Sequence, residues 1–526
     1  MKKRFIQIFF ILIFCVSNGL AQNREISIQY LQSNLEFLAS DELEGREVTT
    51  RGEKIASLFI AQELKKYGIK PFGDNGSFYQ NFNLMVITND KNNTVLKIEN
   101  GKDNNEELKF NDEFLLSKSP MPHELYSNKK YKVVFAGFGV ESDRDNYSSY
   151  KNIDVSGKIV VVLPGTPLES QNHFGLMALK KLKENIASQK GAAAIIHLLG
   201  TETALKWPMI KFYMTSPTFK LENEFESPNK KNIPSIIVSN KGAEKIFINE
   251  LLTYDKIDSV FKVDGIKACF ELDKEIYLSY DFIKEIKPAR NVVGILEGTD
   301  DILKQEFVTI GAHYDHLGAY NGNVFNGADD NGSGTVSVLE LARLLAIEKT
   351  NKRSIVFAFH TGEEKGLLGA KYLTEHSDNL IKNAVVNINL DMIGRESIDT
   401  IFSVGSGRIS SELLSLIEEI NSQTVNFVLD YKFDQPNDPQ NIYNRSDHKH
   451  YADKGIPVVF FFDEMNEDYH KPTDTIEKIN FNKIYKVTEL SKAIVNKIAN
   501  LNHKLKTDNN NELNKDRTEG KIEKAN

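Results

Sequence analysis

At 526 residues the chain is too long for one ordinary hydrophobic core, so two folded domains are the expectation. Its 65 basic and 73 acidic side chains leave a formal net charge of -8, mild for this length, which argues against nucleic acid as a natural partner.

The chain opens like an export signal. Lys2, Lys3 and Arg4 precede an apolar run from Phe5 to Val16, and Gly19-Leu20-Ala21 has the small-x-small pattern of a cleavage site. Residues 1–21 are therefore read as a signal peptide cut after Ala21, which predicts a secreted or periplasmic protein with no membrane attachment beyond export. The apolar run is short for a permanent anchor. Phe14 is bulky where a lipoprotein signal before Cys15 wants a small residue, so lipidation is the less favoured reading. Cleavage leaves Cys269 alone, and no internal disulfide is expected.

Further along, YKVVFAGFGV (131–140), SGKIVVVLPGTP (156–167), QKGAAAIIHLLG (189–200) and NIPSIIVSNKGAEKIF (232–247) are short β-branched runs ended by Gly, Pro or Asn. One helical stretch, Leu176 to Gln189, lies among them. His123-Glu124 has the look of a zincin helix but lacks the second His one turn on, where Ser127 stands. Beyond residue 290 strands and helices alternate. FVTIGAHYDH (307–316) and SIVFAFH (354–360) read as buried strands, and residues 333–348 as a helix packed on their sheet and capped by Ser333 or Asn331. Residues 504–526 carry few apolar side chains and are expected to be disordered.

Five polar motifs punctuate this region: AHYDH (312–316), GADDNGSG (327–334), HTGEE (360–364), NLDMIGR (389–395) and EDYHKPTDT (467–475). Each puts a His, Asp or Glu at the end of an apolar run, and strand ends of an open α/β sheet converge on one crevice. His313, Asp330, Glu364, Asp391 and His470 supply the mixed nitrogen and oxygen set that two divalent cations need, with one carboxylate to bridge them. Such a set suits zinc, with cobalt or manganese as substitutes. Glu363, next to a ligand position, is the candidate general base. Any one of these motifs alone reads as a solvated strand end, and the Asp329-Asp330 pair alone as a turn. Neighbouring carboxylates repel unless a cation joins them, which favours the metal reading. His316 and His360 match no ligand position, and His448 and His450 stand near the cleft without a direct catalytic role.

In this order and spacing the five motifs resemble the co-catalytic zinc aminopeptidases of the M28 metallopeptidase family. The resemblance implies an α/β fold with a mixed central sheet flanked by helices, of the zinc exopeptidase kind, holding two Zn(2+) per chain and acting on peptide substrates. Carried over motif by motif, His313 and Asp391 would bind one zinc, Glu364 and His470 the other, and Asp330 would bridge. Asp315 would orient His313, Glu363 would be the base, and Tyr469 would stabilise the tetrahedral oxyanion. The stretches LASDELEGR (38–46) and YGIKPFGDNGSFYQNF (67–82) resemble the segment that precedes this domain in many members. The runs in the middle of the chain resemble an inserted β-rich protease-associated (PA) domain, with an expected role in shaping the cleft. The implied layout is an N-terminal segment (22–115) packing with the peptidase domain, a PA-like insert (116–285) and the catalytic domain (286–503). One departure stands out. Relatives commonly carry Thr-Gly shortly before the final Tyr-His, whereas this chain reads FFDEMNEDYH (461–470), which alters the expected pocket wall through Asp463, Glu464, Met465 and Asn466. Three alternatives remain open: a carboxypeptidase or dipeptidase, a single-zinc glutaminyl cyclase, and a non-catalytic binding protein on the same scaffold.

Overall fold

The computed structural model describes residues 24–100, 105–117, 129–171, 175–200, 205–224, 232–250, 252–257, 269–395 and 397–508. The expected signal peptide with Cys15, the His123-Glu124 pair and the tail beyond residue 508 lie outside them. The chain forms two compact units. One takes the residues up to Leu84 and those from Lys287 onward, the other Met85–Ile286.

The first unit is built on a mixed sheet. Seven of its strands are β1 (Phe282–Leu296, of which the part from Lys287 lies in this unit), β2 (Phe307–His313), β3 (Ser354–His360), β4 (Ala384–Leu390), β5 (Thr400–Val404), β6 (Val428–Asp430) and β7 (Val458–Phe462), in the order β1-β3-β2-β4-β7-β5-β6. β2, β3, β4 and β7 run parallel to their neighbours in that series, while β1 pairs with β3 and β5 with β7 antiparallel. β2, β3 and β7 are buried along their whole length, which is why they read as unbroken apolar runs rather than alternating ones. Helices cover both faces. One face of β2, β3 and β4 meets Leu31 and Leu35 of α1 (Ile28–Leu38), Ile60 of α2 (Arg51–Lys66), α3 (Gly334–Glu348) and Leu490 of α7 (Phe481–Ala499) in one core. The other meets Leu373 of α4 (Leu368–His376) and Tyr451 of α6 (His448–Asp453), while α5 (Ser411–Gln423) joins the first core through Leu413 and Ile417. α3 is buried nearly all round because α1, α2 and α7 pack over it, and its Glu340 is held there by Arg343 at 2.7 Å and by the backbone N–H of Ser27 at 2.8 Å. Of the two expected caps, Asn331 takes the role: its Oδ1 accepts from Gly334 N at 2.9 Å, while the Ser333 hydroxyl donates to the Asp329 carbonyl.

Register decides what the sheet does. His313 pairs with His360, Gly311 with Asn389, and Leu390 with Phe461. The carboxyl ends of β2, β3, β4 and β7 therefore finish at one level, and the loops that follow them open at one edge.

The second unit carries an eight-stranded sheet of its own, ordered 105–108, 95–99, 270–279, 129–135, 159–162, 194–198, 235–238 and 114–116. Residues 129–135, 159–162, 194–198 and 235–238 run parallel, and the helix Leu176–Gln189 has the expected bounds. The boundary differs from the expectation. This unit begins at Met85 instead of 116, because Ile98 pairs with Ile276 and Leu115 with Ile237 inside its sheet. Those strands are short and set in an Asn- and Glu-rich stretch, so their apolar signal is weak. The tail also starts later than residue 504: Leu505 is buried, and Asp508 Oδ2 accepts from Ser411 N at 2.8 Å. Cys269 is a free, half-buried thiol that burial pushes up to about 11. Among the described residues no helix is long and apolar enough to cross a membrane.

Phe357, fully buried at the centre of β3, is a test of this core. Phe357→Ala is expected to destabilise the first unit by about 3–5 kcal/mol in denaturant unfolding followed by circular dichroism. A loss below about 1 kcal/mol would place β3 outside the core.

Candidate metal centre

The site grows out of the aligned strand ends. His313 closes β2, Glu363 and Glu364 follow β3, Asp391 follows β4, and His470 lies in the segment after β7. Asp330 comes from the loop that enters α3. That loop turns at Gly327, φ +57°, where a Cβ would stand 2.2 Å from the Asp330 carbonyl oxygen and 2.5 Å from the His316 ring, so only glycine lets it pass.

The structure brings all five expected ligands together, in two lobes that share one carboxylate. His313 Nε2 lies 3.3 Å from Asp391 Oδ1 and 3.4 Å from Asp330 Oδ1. His470 Nε2 lies 3.1 Å from Glu364 Oε2 and 3.4 Å from Asp330 Oδ2. Each oxygen of Asp330 thus faces its own His-carboxylate pair. Glu363 Oε2 sits 3.9 Å from His313 Nε2, on the side of the first lobe. Ionised carboxylates only accept, so four of them in one buried space demand positive charge between them. A divalent cation in each lobe would fit that demand and the donor chemistry; His313 with Glu363 and Asp391, and His316 with Asp330 and Glu364, each bring three ligand atoms within 4.8 Å of one another.

The protonation pattern of the bare protein says the same. Burial works against a charged His470, but Glu364 and Asp330 outweigh it and push the imidazole up to about 11. Burial likewise opposes a charged His313, yet Asp391 and Glu363 hold it well above its usual range. Asp330 is drawn down to about 2 against burial and Glu364, by His316, His313 and His470. Glu363 goes the other way: burial, then the carboxylates of Glu364 and Asp391, hold it well above the ordinary range, with His313 opposing. A carboxyl with raised proton affinity beside the lobes is suited to proton transfer.

Around the lobes the structure sorts the remaining candidates. Asp315 Oδ1 accepts from Glu363 N at 3.2 Å and lies 3.7 Å from His313 Nδ1, which is closer, at 3.1 Å, to the Asp315 backbone carbonyl. Asp315 therefore braces the Glu363 turn as well as His313. Tyr469 stacks on His470 at 3.8 Å between ring centres, and its hydroxyl accepts from Arg445 Nη2 at 3.0 Å. Asp329 points away and accepts from Gly394 N at 2.8 Å. His360 and His448 stay outside the lobes, the first beside Tyr451 and Asp447, the second stacked on Phe460 and pushed down to about 3 by burial. His450 is half-buried beyond them.

Four supporting residues escaped the sequence reading. His316 Nδ1 lies 2.7 Å from Glu364 Oε1, so this histidine braces the second lobe. Ser446 donates to Asp391 Oδ2 at 2.7 Å, Asp474 accepts the backbone N–H groups of Asp329 and Asp330 at 3.1 Å, and Arg46 lies buried beneath the same loops. Arg46, His316 and Asp474 stand inside stretches already singled out, but hydrogen bonds between distant segments leave no local signal. The altered segment 463–466 divides in two. Asp463 is buried against Lys483 at 2.9 Å and carries the backbone of Arg395, whereas Met465 reaches the cleft. That cleft runs from the lobes between Met392, Ile442, Phe460, Phe462 and Met465, with Arg445 and Tyr469 beside them.

Known proteins give this geometry its context. Residues 291–495 match the sequence model of Peptidase family M28. Aminopeptidase YwaD of Bacillus subtilis (strain 168) is 30% identical over 234 residues, 42% of this chain and 47% of that protein. A probable leucine aminopeptidase of Arthroderma benhamiae is 28% identical over 186 residues, covering 34% and 49%. The chain thus spans about half the length of these curated relatives. Two solved structures share its fold at 19% identity: an aminopeptidase from Aneurinibacillus sp. strain AM-1, with a TM-score of 0.57 over 90% of this chain and 93% of that one, and BSAP, a zinc aminopeptidase from Bacillus subtilis, with 0.53 over 90% and 96%. The similarity to peptidase family M28 is carried by residues 291–495.

Proposed function

We propose that this protein is an exported two-zinc aminopeptidase, removing residues from the free amino end of peptides. The observation that carries the reading is Asp330, whose two oxygens each face a separate His-carboxylate pair at 3.4 Å from the histidine. The aminopeptidase and zinc aminopeptidase descriptions of its relatives support it. Export to the periplasm or beyond rests on residues 1–21 alone.

His313 and Asp391 would hold one cation, Glu364 and His470 the other, with Asp330 between. When bound, such a pair supplies Lewis acidity and a water of lowered pKa. The chain's own groups supply the rest. Glu363 takes the proton of the attacking water and passes it to the leaving amine, and Asp315 fixes the Glu363 backbone for that exchange. Burial, then Asp330 and Glu364, keep the Tyr469 phenol well above its usual range, so it holds its proton and donates to the carbonyl oxygen as negative charge develops there. The apolar cleft walls receive a large apolar side chain, and the substrate ammonium is received at the acidic end of the cleft. A carboxypeptidase or dipeptidase would need cations for the substrate carboxylate. Arg395 is held by Asp468 at 2.5 Å, and Arg445 by the Tyr469 hydroxyl, which favours the aminopeptidase.

Glu363→Gln is expected to keep metal content in elemental analysis and lose roughly a thousandfold in turnover of aminoacyl chromogenic substrates. Near-wild-type turnover would remove Glu363 from the role of base. Metal uptake by the stripped protein should expel protons, because His470, pushed up to about 11, is charged at neutral pH and only a neutral imidazole binds a cation. Calorimetry in buffers of different ionisation heat reads this directly, and apparent affinity should rise with pH; uptake without proton release would contradict the assignment of His470. Finally, N-acetylated peptides should resist cleavage that their free-amine forms undergo, by a loss of about 2–5 kcal/mol in transition-state stabilisation. Equal rates for capped and free peptides would reject the aminopeptidase reading.

A further inference from the structure

The family match begins at residue 291, yet one cation from far upstream lies under the metal centre. Arg46 ends the short turn Asp41–Arg46, is 1% exposed, and has a backbone φ of +50°. Its Nε donates to the Tyr314 carbonyl at 2.9 Å, Nη1 to Asn326 at 2.6 Å and to Leu38, and Nη2 to Gly327 at 3.0 Å. Its own carbonyl accepts from His316 N at 3.2 Å.

Apart from Leu38, which ends α1, these partners fall on two loops. Tyr314 and His316 flank the turn that follows His313, and Asn326 and Gly327 lead into Asp330. The planar guanidinium fork, donating in fixed directions, sets the distance between the two loops in a way a flexible ammonium cannot. The link to His316 extends the effect, since that imidazole lies 2.7 Å from Glu364. Charge acts in the same sense. Burial lowers Arg46 to about 10, against Asp315, Asp474, Asp330 and Glu364, so the group stays cationic at neutral pH beneath an acidic cluster.

We propose that Arg46 is a positioning residue of the metal centre: by tying Tyr314, Asn326 and Gly327 to one turn it sets the spacing of His313 and Asp330, and through His316 that of Glu364, and so governs metal affinity without touching metal or substrate. The inference rests on the two-cation reading of the site. It adds that a segment outside the family match is part of what holds the ligands in register.

The test uses the full chain stripped of metal, as wild type, Arg46→Lys and Arg46→Met, titrated with cobalt(II) against a competing chelator while the visible absorption band and far-UV circular dichroism are recorded. The expected result is a wild-type fold in both variants. Cobalt binding in Arg46→Met should weaken by roughly 10–100-fold with an altered visible band, and Arg46→Lys, which keeps the charge but loses the fork, should fall between. Folded variants with wild-type affinity and an unchanged band would overturn the proposal. Failure of both variants to fold under saturating zinc would overturn it too, since Arg46 would then serve the fold alone. A wild-type protein that takes up no cobalt would instead remove the two-cation reading on which the proposal stands.

Discussion

Four carboxylates, from Asp330, Glu363, Glu364 and Asp391, share one buried space with the imidazoles of His313 and His470. Like charges at this spacing in a poorly hydrated site are costly unless cations or protons stand between them. Much of the first unit can be read as the means of holding that unfavourable cluster in place. The bare protein meets the demand by keeping protons on both histidines and on Glu363, and drawing Asp330 down. A divalent cation would meet it better, because it would also bind the imidazole lone pair that a proton would occupy.

A site of this kind needs a rigid frame, since its carboxylates repel one another unless a cation or a proton stands between them. The frame is the set of parallel strands whose ends finish level, with the His313–His360 and Leu390–Phe461 registers fixed by apolar runs buried on both faces. A slip of one residue would turn those runs toward the wrong layer of helices, so packing and ligand placement are set by the same interactions. The loops are then fixed by groups from other segments: Asp474 on the N–H groups of Asp329 and Asp330, Asp329 on the N–H of Gly394, and Ser446 on the Asp391 carboxylate. Outer partners of this sort orient ligands and tune their basicity.

The altered segment before His470 illustrates the division of labour within a few residues. Asp463 is not a wall of the cleft; it is anchored by the fully buried Lys483, and its second oxygen holds the backbone of Arg395. Asn466 turns toward Asp329, and Met465 alone of these faces the cleft, beside Phe460 and Phe462. Change in this stretch therefore acts on one side chain of the cleft while its flanks secure the loop that ends in Tyr469 and His470.

By itself the sequence determined the kind of fold and pointed to five candidate ligands. Apolar runs such as 307–313 and 354–360 can only be buried strands, and His313, Asp330, Glu364, Asp391 and His470 each follow such a run or a glycine-rich turn, so residue type and position carried the information. Tertiary structure decided the rest. It separated Asp330 from Asp329 by aiming one at the histidines and the other at Gly394, brought in His316 as a brace, and gave residues 85–116 to the second unit because short polar strands found partners far along the chain. It also placed Arg46 under loops some 270 to 280 residues away, by hydrogen bonds to backbone carbonyls. Backbone acceptors look alike at every residue, so no pattern of side chains along the chain could have announced which ones a buried guanidinium would choose.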